Sequence, residues 1–307
     1  MKVVTQLDQT VNTPTAIALG NFDGLHLGHQ RVISAILGTP YESTVVSFDP
    51  HPQEFFTQKP RSQLTPLPEK KMLLERLGVQ QMVILPFTQS LAELSYTEFM
   101  ECILQNYLQA ERIAVGFNFR FGKDRKGTIY DLKRVWGDRL TIISEQSLSE
   151  AVRISSSNIR AALGNGNLDL ARRMLGRPYS LTGTVIYGQQ LGRELGFPTA
   201  NLLLPDRKFL PCNGVYAVHV DCIYGSNLIG VMNVGVRPTV ANPHIGEFHR
   251  PVVEVHIMDW EGDLYGSEMR VQLMSFLRSE LKFHSLEELK QQIAKDCTSA
   301  KRMRSLI

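Results

Sequence analysis

Through about residue 180, short runs of consecutive apolar residues alternate with stretches of helical periodicity. Thr15-Ala16-Ile17-Ala18-Leu19, Ser43-Thr44-Val45-Val46-Ser47-Phe48, Gln81-Met82-Val83-Ile84-Leu85, Arg112-Ile113-Ala114-Val115-Gly116 and Leu140-Thr141-Ile142-Ile143 read as strands. Helices are predicted over about 26–37, 68–77 and 96–109. Strands that are apolar on both faces and separated by helices belong to a parallel sheet covered on both sides. Residues 1–180 are therefore expected to form a doubly wound α/β domain. Ligands of such sheets sit beyond the carboxyl ends of the strands, where Gly20 and Gly116 fall.

Beyond Tyr179 the rhythm changes. Residues 182–187, 215–223, 228–234, 252–258 and 269–276 are strand-like, with Gly and Pro in the gaps. An antiparallel barrel or sandwich is predicted for 181–307. One helix closes the chain, opened by the capping box Ser285-Leu286-Glu287-Glu288, with Leu286, Leu289 and Ile293 along its apolar face. The junction is expected near Gly164-Asn165-Gly166-Asn167, followed by a short helix stopped by Gly176 and Pro178.

Length agrees with this division, since 307 residues exceed one ordinary domain. A composition of 43% hydrophobic and 21% charged residues supplies two apolar cores. The net charge of +3, without a Lys/Arg-rich block, argues against nucleic acid as partner. Cys102, Cys212, Cys222 and Cys297 are widely spaced, so neither a Cys-x-x-Cys metal pair nor a disulfide framework is suggested. No stretch reads as a signal peptide or a membrane span. A soluble cytoplasmic protein with reduced thiols is expected.

The first chemical constellation is Gly20-Asn21-Phe22-Asp23-Gly24-Leu25-His26-Leu27-Gly28-His29. Gly20 and Gly24 let the chain turn sharply off a strand and bring backbone amides close to a ligand. His26 and His29, three apart at a helix start, share one face, and Gly28 leaves that face clear. Helix-end N–H groups with two imidazoles suit polyphosphate oxygens. His-x-x-His could instead supply two zinc ligands, though no third ligand stands at suitable spacing, or the two histidines could simply cap a turn. A second piece is Ser155-Ser156-Ser157-Asn158-Ile159-Arg160, where hydroxyls at a helix start and a planar cation suit β- and γ-phosphates. A plain Ser-rich cap is the bland alternative.

The second constellation is Tyr187-Gly188-Gln189-Gln190-Leu191-Gly192-Arg193-Glu194-Leu195-Gly196-Phe197-Pro198-Thr199-Ala200-Asn201. Gly188, Gly192 and Gly196 make a loop able to lie over phosphates, and Pro198 stiffens the backbone presenting Thr199 and Asn201. Those two side chains face the same way on an extended segment, and both are oxygen donors fit for Mg²⁺. An ordinary Gly/Pro turn with an Asn cap is the competing reading. Farther on, Val252-Val253-Glu254-Val255-His256-Ile257 places Glu254 and His256 on one strand face. A carboxylate within an apolar run suggests a general base, against the alternative of a solvated face.

Together these segments resemble a known family. The His motif and the Ser-rich segment resemble the two signatures of the nucleotidylyltransferase superfamily, with Ser157 where Thr is usual. Phe48-Asp49-Pro50-His51-Pro52 and Val115-Gly116-Phe117-Asn118-Phe119-Arg120-Phe121-Gly122-Lys123 resemble those of bacterial bifunctional riboflavin kinase/FMN adenylyltransferases. Pro198-Thr199-Ala200-Asn201, the run 254–266, Asn233-Val234-Gly235-Val236-Arg237-Pro238-Thr239 and Leu277-Arg278-Ser279-Glu280-Leu281-Lys282-Phe283 are similar to the riboflavin kinase module. Tyr187 stands where many relatives have His. The likeness runs from about Gly20 to Asp296.

The resemblance implies a two-step transferase acting on riboflavin, FMN and ATP to make FAD. It implies Gly20, Phe22, Asp23, Gly24, His26, Gly28, His29, Ser155, Ser156, Ser157 and Arg160 at the adenylylation site, with Asn118 toward the flavin. Gly188, Gly192, Gly196, Pro198, Thr199 and Asn201 would bind Mg·ATP at the kinase site, with Glu254 as base. A phosphomonoester is mostly a dianion near neutrality, its second pKa being about 6, so FMN needs no base to attack the α-phosphorus. An alcohol does. Rival readings are a nucleotidylyltransferase for another phosphorylated substrate, which leaves Thr199, Asn201 and Glu254 idle, and a flavin-binding protein without catalysis.

Overall fold

A computed structural model describes residues 1–150, 152–188, 192, 195–236 and 251–303. The Arg237-Pro238-Thr239 part of one quoted motif, and Gln189-Gln190-Leu191 with Arg193-Glu194 of another, lie outside the described residues. The chain divides into two compact units, Met1–Ser156 and Ser157–Ile307.

The first unit is built on a six-stranded parallel sheet. Its strands are β1 (Lys2–Val4), β2 (Thr15–Leu19), β3 (Glu42–Asp49), β4 (Gln81–Pro86), β5 (Ala110–Gly116) and β6 (Leu140–Ile143), in the order β1-β4-β3-β2-β5-β6. Every residue of β2 is buried. Alternation along β2 sends its side chains into two cores. Ile17 and Leu19 join Val46, Val83, Val115, Leu104 and Trp136 on one face, while Ala16 and Ala18 join Val45, Met82, Ile33 and Leu74 on the other. That double coverage is why these runs carry no polar alternation. Strand order reverses at β2, which pairs with β3 on one side and β5 on the other. The crevice beyond β2 and β5 is the place where such sheets accept ligands.

Helices α1 (Leu27–Ser34), α2 (Pro52–Thr57), α3 (Leu67–Arg76), α4 (Gln89–Glu93), α5 (Tyr96–Glu98) and α6 (Ile129–Trp136) belong to this unit. The helix expected over 96–109 winds more loosely than an α-helix. After α5 it is π-helical over Phe99–Tyr107, and Leu108 N–H reaches the carbonyl of Ile103, five residues back. The wider turn still sets Phe99, Met100, Ile103 and Leu104 into the core.

Helix α7 (Ser156–Gly164) begins at the division, and α8 (Leu168–Leu175) follows, closed by Gly176 in the left-handed conformation. Six antiparallel strands then close a barrel: β9 (Ser180–Ile186), β10 (Ala200–Leu203), β11 (Gly214–Cys222), β12 (Gly225–Val236), β13 (Pro251–Ile257) and β14 (Glu268–Arg278), in the order β10-β13-β12-β11-β14-β9. A further small antiparallel pair, β7 (Ser147–Ser149) with β8 (Val152–Arg153), lies before α7.

The terminal helix α9 (Leu286–Met303) packs on the outside of the barrel, where Ala300 and Cys297 meet Val215, Ala217 and Val231. Its orientation is fixed by the buried carboxylate of Asp296, which accepts from Nε and Nη2 of Arg278 at 2.8–3.1 Å and from Gln292 at 3.0 Å. The expected apolar stripe is only partly realised: Leu286 is 59% exposed, and the buried positions are Asp296 and Ala300. Ser285 caps the helix through the N–H of Glu288, but the Glu288 carboxylate returns to the N–H of His284, one residue before the cap.

Candidate active sites

In the first unit, β2 ends and the chain turns through three left-handed residues, Phe22 (φ 49°), Gly24 (φ 88°) and Leu25 (φ 44°). Left-handed backbone at non-glycine positions is strained and concentrates at functional sites. Burial holds it here, since Phe22 and Leu25 are each 1% exposed. The Phe22 ring lies under Gly20, where a Cβ would sit 3.3 Å from it, and presents an edge to the ring of His29 at 5.3 Å.

His26 is the N-cap of α1, and its Nδ1 accepts from the main-chain N–H of His29 at 3.2 Å. The two imidazoles stack with centroids 3.6 Å apart. A Cβ on Gly28 would press on the His26 ring at 3.2 Å, so glycine there leaves the stack undisturbed. Burial first, then the neighbouring His26 and Lys70, hold His29 well below the ordinary imidazole value. Its Nδ1 is buried without a hydrogen-bond partner. The stack thus places two imidazole rings at a helix start, with burial favouring the uncharged form of His29.

Asp23 braces the loop. Its carboxylate accepts from the N–H of Thr65, Thr65 Oγ1 accepts from the N–H of Gly24, and the Asp23 carbonyl accepts from Ser156 Oγ at 2.8 Å. The Ser-rich segment and the His motif therefore meet at Ser156, with Ser155 half-buried beside it. Ser157, exposed, and Arg160, whose guanidinium lies 5.8 Å from the Phe209 ring centre, fall in the second unit.

Three residues that the sequence left without a role sit at the same strand ends. Lys70 of α3 donates to the Asn21 carbonyl at 2.9 Å. Burial lowers its pKa, and the carboxylates of Asp23 and Asp49 oppose that shift. Asn21 Nδ2 lies 2.9 Å from His51 Nε2. These residues line a small cavity of about 30 Å³ with Asp23, Glu54 and Arg61. His51 stood within a quoted motif; for Lys70, 49 residues from Asn21, no sequence signal existed.

Beyond β5 the alternating phenylalanines separate by depth. Phe121 is buried and Phe119 stacks on it, whereas Phe117 is 39% exposed with the Arg153 guanidinium 5.6 Å from its ring centre. Asn118 is exposed next to Phe117, close to Gly116.

In the second unit the register of the barrel assembles the other site. Asn201 on β10 stands directly opposite Glu254 on β13, and Glu254 stands opposite Asn233 on β12. One carboxylate is therefore flanked by two amides on a single sheet face. Asn201 is only 6% exposed. Asn233 was quoted within a motif but given no role, because pairing register is not visible along the chain.

The three loop glycines serve different needs. A Cβ on Gly188 would lie 2.0 Å from Asn201 Nδ2, and one on Gly192 would meet the Phe197 carbonyl at 2.4 Å and Thr199 Oγ1 at 3.3 Å. Gly188 thus packs on Asn201 and Gly192 on Thr199. Gly196 has open space around it but a φ of 85°, which glycine tolerates. Pro198 and Thr199 line a cavity of about 310 Å³ with Ala200, Val255, Ile257, Trp260, Leu264 and Tyr265. Tyr265 of this lining stacks on Tyr187 with centroids 3.8 Å apart.

Among the described residues no group of three or more His, Cys, Asp or Glu is placed to hold a metal ion. No helix among them is long and apolar enough to cross a membrane.

Known proteins share both halves. The family model for FAD synthetase matches residues 8–158 and that for riboflavin kinase matches residues 175–304. A bifunctional riboflavin kinase/FMN adenylyltransferase of Pseudomonas fluorescens is 40% identical, over 92% of this chain and 91% of its own. Proteins of the same description from Escherichia coli K12 (38%, over 97% and 95%) and Buchnera aphidicola of Schizaphis graminum (35%, over 97% and 96%) match as fully. A solved Streptococcus pneumoniae structure described as a macrolide-efflux protein is 28% identical, with a TM-score of 0.86 over 98% of this chain and 99% of that one.

Proposed function

The chain belongs to the family of bifunctional riboflavin kinase/FMN adenylyltransferases, and from that premise we propose how its two reactions are divided and which residues carry each. The protein phosphorylates riboflavin with ATP to give FMN, then joins FMN to the adenylyl group of ATP to give FAD and pyrophosphate. Adenylyl transfer is assigned to residues 1–180 and the kinase to residues 181–307.

At the first site the attacking group is a phosphate dianion, so the protein must neutralise and align anions rather than remove a proton. His26 spends Nδ1 on its own helix cap, which leaves Nε2–H to donate to a phosphate oxygen. His29 donates as a neutral ring beside it. Arg160 and the hydroxyls of Ser155, Ser156 and Ser157 are assigned to the β- and γ-phosphates, and Gly20, Gly24 and Gly28 to close backbone approach. Asn118, exposed after β5, is assigned to the flavin.

At the second site the attacking group is an alcohol. Glu254 takes the proton of the riboflavin 5′-hydroxyl as its oxygen bonds to the γ-phosphorus, and ADP departs. The cavity beside Thr199 takes the nucleotide. Thr199 and Asn201 are hard oxygen donors, and their hydroxyl and amide suit Mg²⁺ in chemistry; they would hold that ion, which when bound neutralises phosphate charge. The carrying observation is the pairing of Asn201 with Glu254 across β10 and β13. A cytoplasmic location is proposed from the ATP requirement and the four free cysteines, and small molecules rather than nucleic acid are the partners.

Asn201→Ala tests the assignment. Riboflavin phosphorylation should fall by about 10²-fold, the scale of one lost electrostatic donor, and recover in part as Mg²⁺ is raised, with FMN adenylylation unchanged. An unaltered kinase rate would remove Asn201 from the site.

A further inference from the structure

His256 lies two residues beyond Glu254 on β13, and its Nδ1 is 2.8 Å from the carbonyl of Pro198. A carbonyl oxygen only accepts, so Nδ1 carries the hydrogen. The Phe197 ring meets the same imidazole in a T-shaped contact, with centroids 5.5 Å apart and planes at 85°. One side chain of the base-bearing strand therefore grips two consecutive residues of the segment that presents Thr199.

That grip falls where the ladder ends. The β10–β13 pairing comprises Ala200 with Val255 and Asn201 with Glu254, and Thr199 precedes it. Upstream, Phe197 N–H is held by the Gly192 carbonyl at 2.7 Å, a tie within the glycine loop itself. The Pro198 carbonyl belongs to the peptide that places the Thr199 nitrogen, and its bond to His256 refers that peptide to β13.

We propose that His256 is a positioning residue of the kinase centre: its Nδ1–H clamps the Pro198 carbonyl and holds Thr199 at a set distance from Glu254. The inference rests on the assignment of Thr199 to Mg·ATP. Loss of the clamp releases Thr199 and leaves Glu254 in its ladder, so the effect falls on the nucleotide.

Three variants of the full chain are compared with wild type for the KM of Mg·ATP and of riboflavin, with FMN adenylylation as internal control. His256→Phe keeps a ring against Phe197 but lacks the donor. It should raise the ATP KM about tenfold, the worth of one hydrogen bond, with the riboflavin KM within about twofold. His256→Asn places an amide N–H near the Nδ1 position and should stay within about threefold of wild type. The proposal fails if His256→Phe leaves the ATP KM unchanged, if both KM values rise together, or if His256→Asn falls as far as His256→Phe. Thr199→Val separates this from the underlying reading: an unimpaired Thr199→Val overturns the assignment of Thr199, whereas an impaired Thr199→Val beside an unimpaired His256→Phe sinks the clamp alone. Should His256→Phe not fold, ¹⁵N NMR of the wild-type histidines decides, and a His256 without hydrogen on Nδ1 contradicts the proposal.

Discussion

The rings of His26 and His29 stack with centres 3.6 Å apart and planes 17° from parallel, and the main chain of His29 donates to Nδ1 of His26. Two imidazoles so close cannot both carry charge at small cost. The N-cap settles which proton His26 keeps, because an Nδ1 that accepts has no hydrogen, which then sits on Nε2. The cap and the phosphate contact proposed for His26 thereby use opposite edges of one ring.

The two duties of His26 separate by substitution. Asparagine is a strong N-cap but offers no imidazole Nε2–H. His26→Asn is expected to keep wild-type thermal stability and lose about 10²-fold or more in FMN adenylylation. His26→Ala should lose the activity and, in addition, about 1 kcal/mol of stability at the α1 terminus. Calorimetry beside the FMN assay reads both; an active His26→Asn would leave the ring with capping alone.

Protonation of His29 is a matter of sign. Its folded pKa lies below the ordinary value of 6.5, so above that value both folded and unfolded forms are neutral and nothing is gained or lost. As pH falls below it, the unfolded chain binds the proton first, and stability declines until the folded pKa is passed. ¹⁵N NMR should find His29 still neutral at about pH 6, where a free imidazole is largely protonated. A His29 half-protonated near its free value would contradict the burial account.

Gly188 is required by the side chain beneath it. A methyl group there meets Asn201 Nδ2 at 2.0 Å, far inside van der Waals contact, and Asn201 is itself buried. Gly188→Ala is expected to cut riboflavin phosphorylation by at least about tenfold through displacement of Asn201 from Glu254, a scale set by the sensitivity of catalysis to misplacements of about 1 Å. FMN adenylylation by the same protein serves as control. Wild-type phosphorylation would show that the loop gives way instead.

Much of this was legible because burial on both faces writes itself into composition. The all-apolar run of β2 announced a covered parallel strand, and Gly20 directly after it marked the ligand crevice. Strand β10 escaped notice as a strand, since four residues with one buried amide show no clear alternation. Its pairing with β13, which brings Asn201 to Glu254, and the pairing of β12 that adds Asn233, are matters of register between distant segments. Lys70 reaches Asn21 by folding of α3 over the strand ends, and nothing near Lys70 in the chain records it. Leu286 fitted an apolar periodicity yet stays in solvent, because the helix is seated about three turns later, by Asp296 and Ala300.

The central claim is that each site runs its own reaction with its own kind of nucleophile. Glu254→Gln and His29→Ala, each supplied with ATP, Mg²⁺ and either riboflavin or FMN, with flavins resolved over time, test it most directly. Glu254→Gln should make no FMN from riboflavin, a loss of about 10²–10⁴-fold for an absent base, while turning supplied FMN into FAD at the wild-type rate. His29→Ala should do the reverse, with FMN accumulating from riboflavin and little FAD formed. Loss of both activities in either variant, or FAD from riboflavin at the wild-type rate in either, would contradict it.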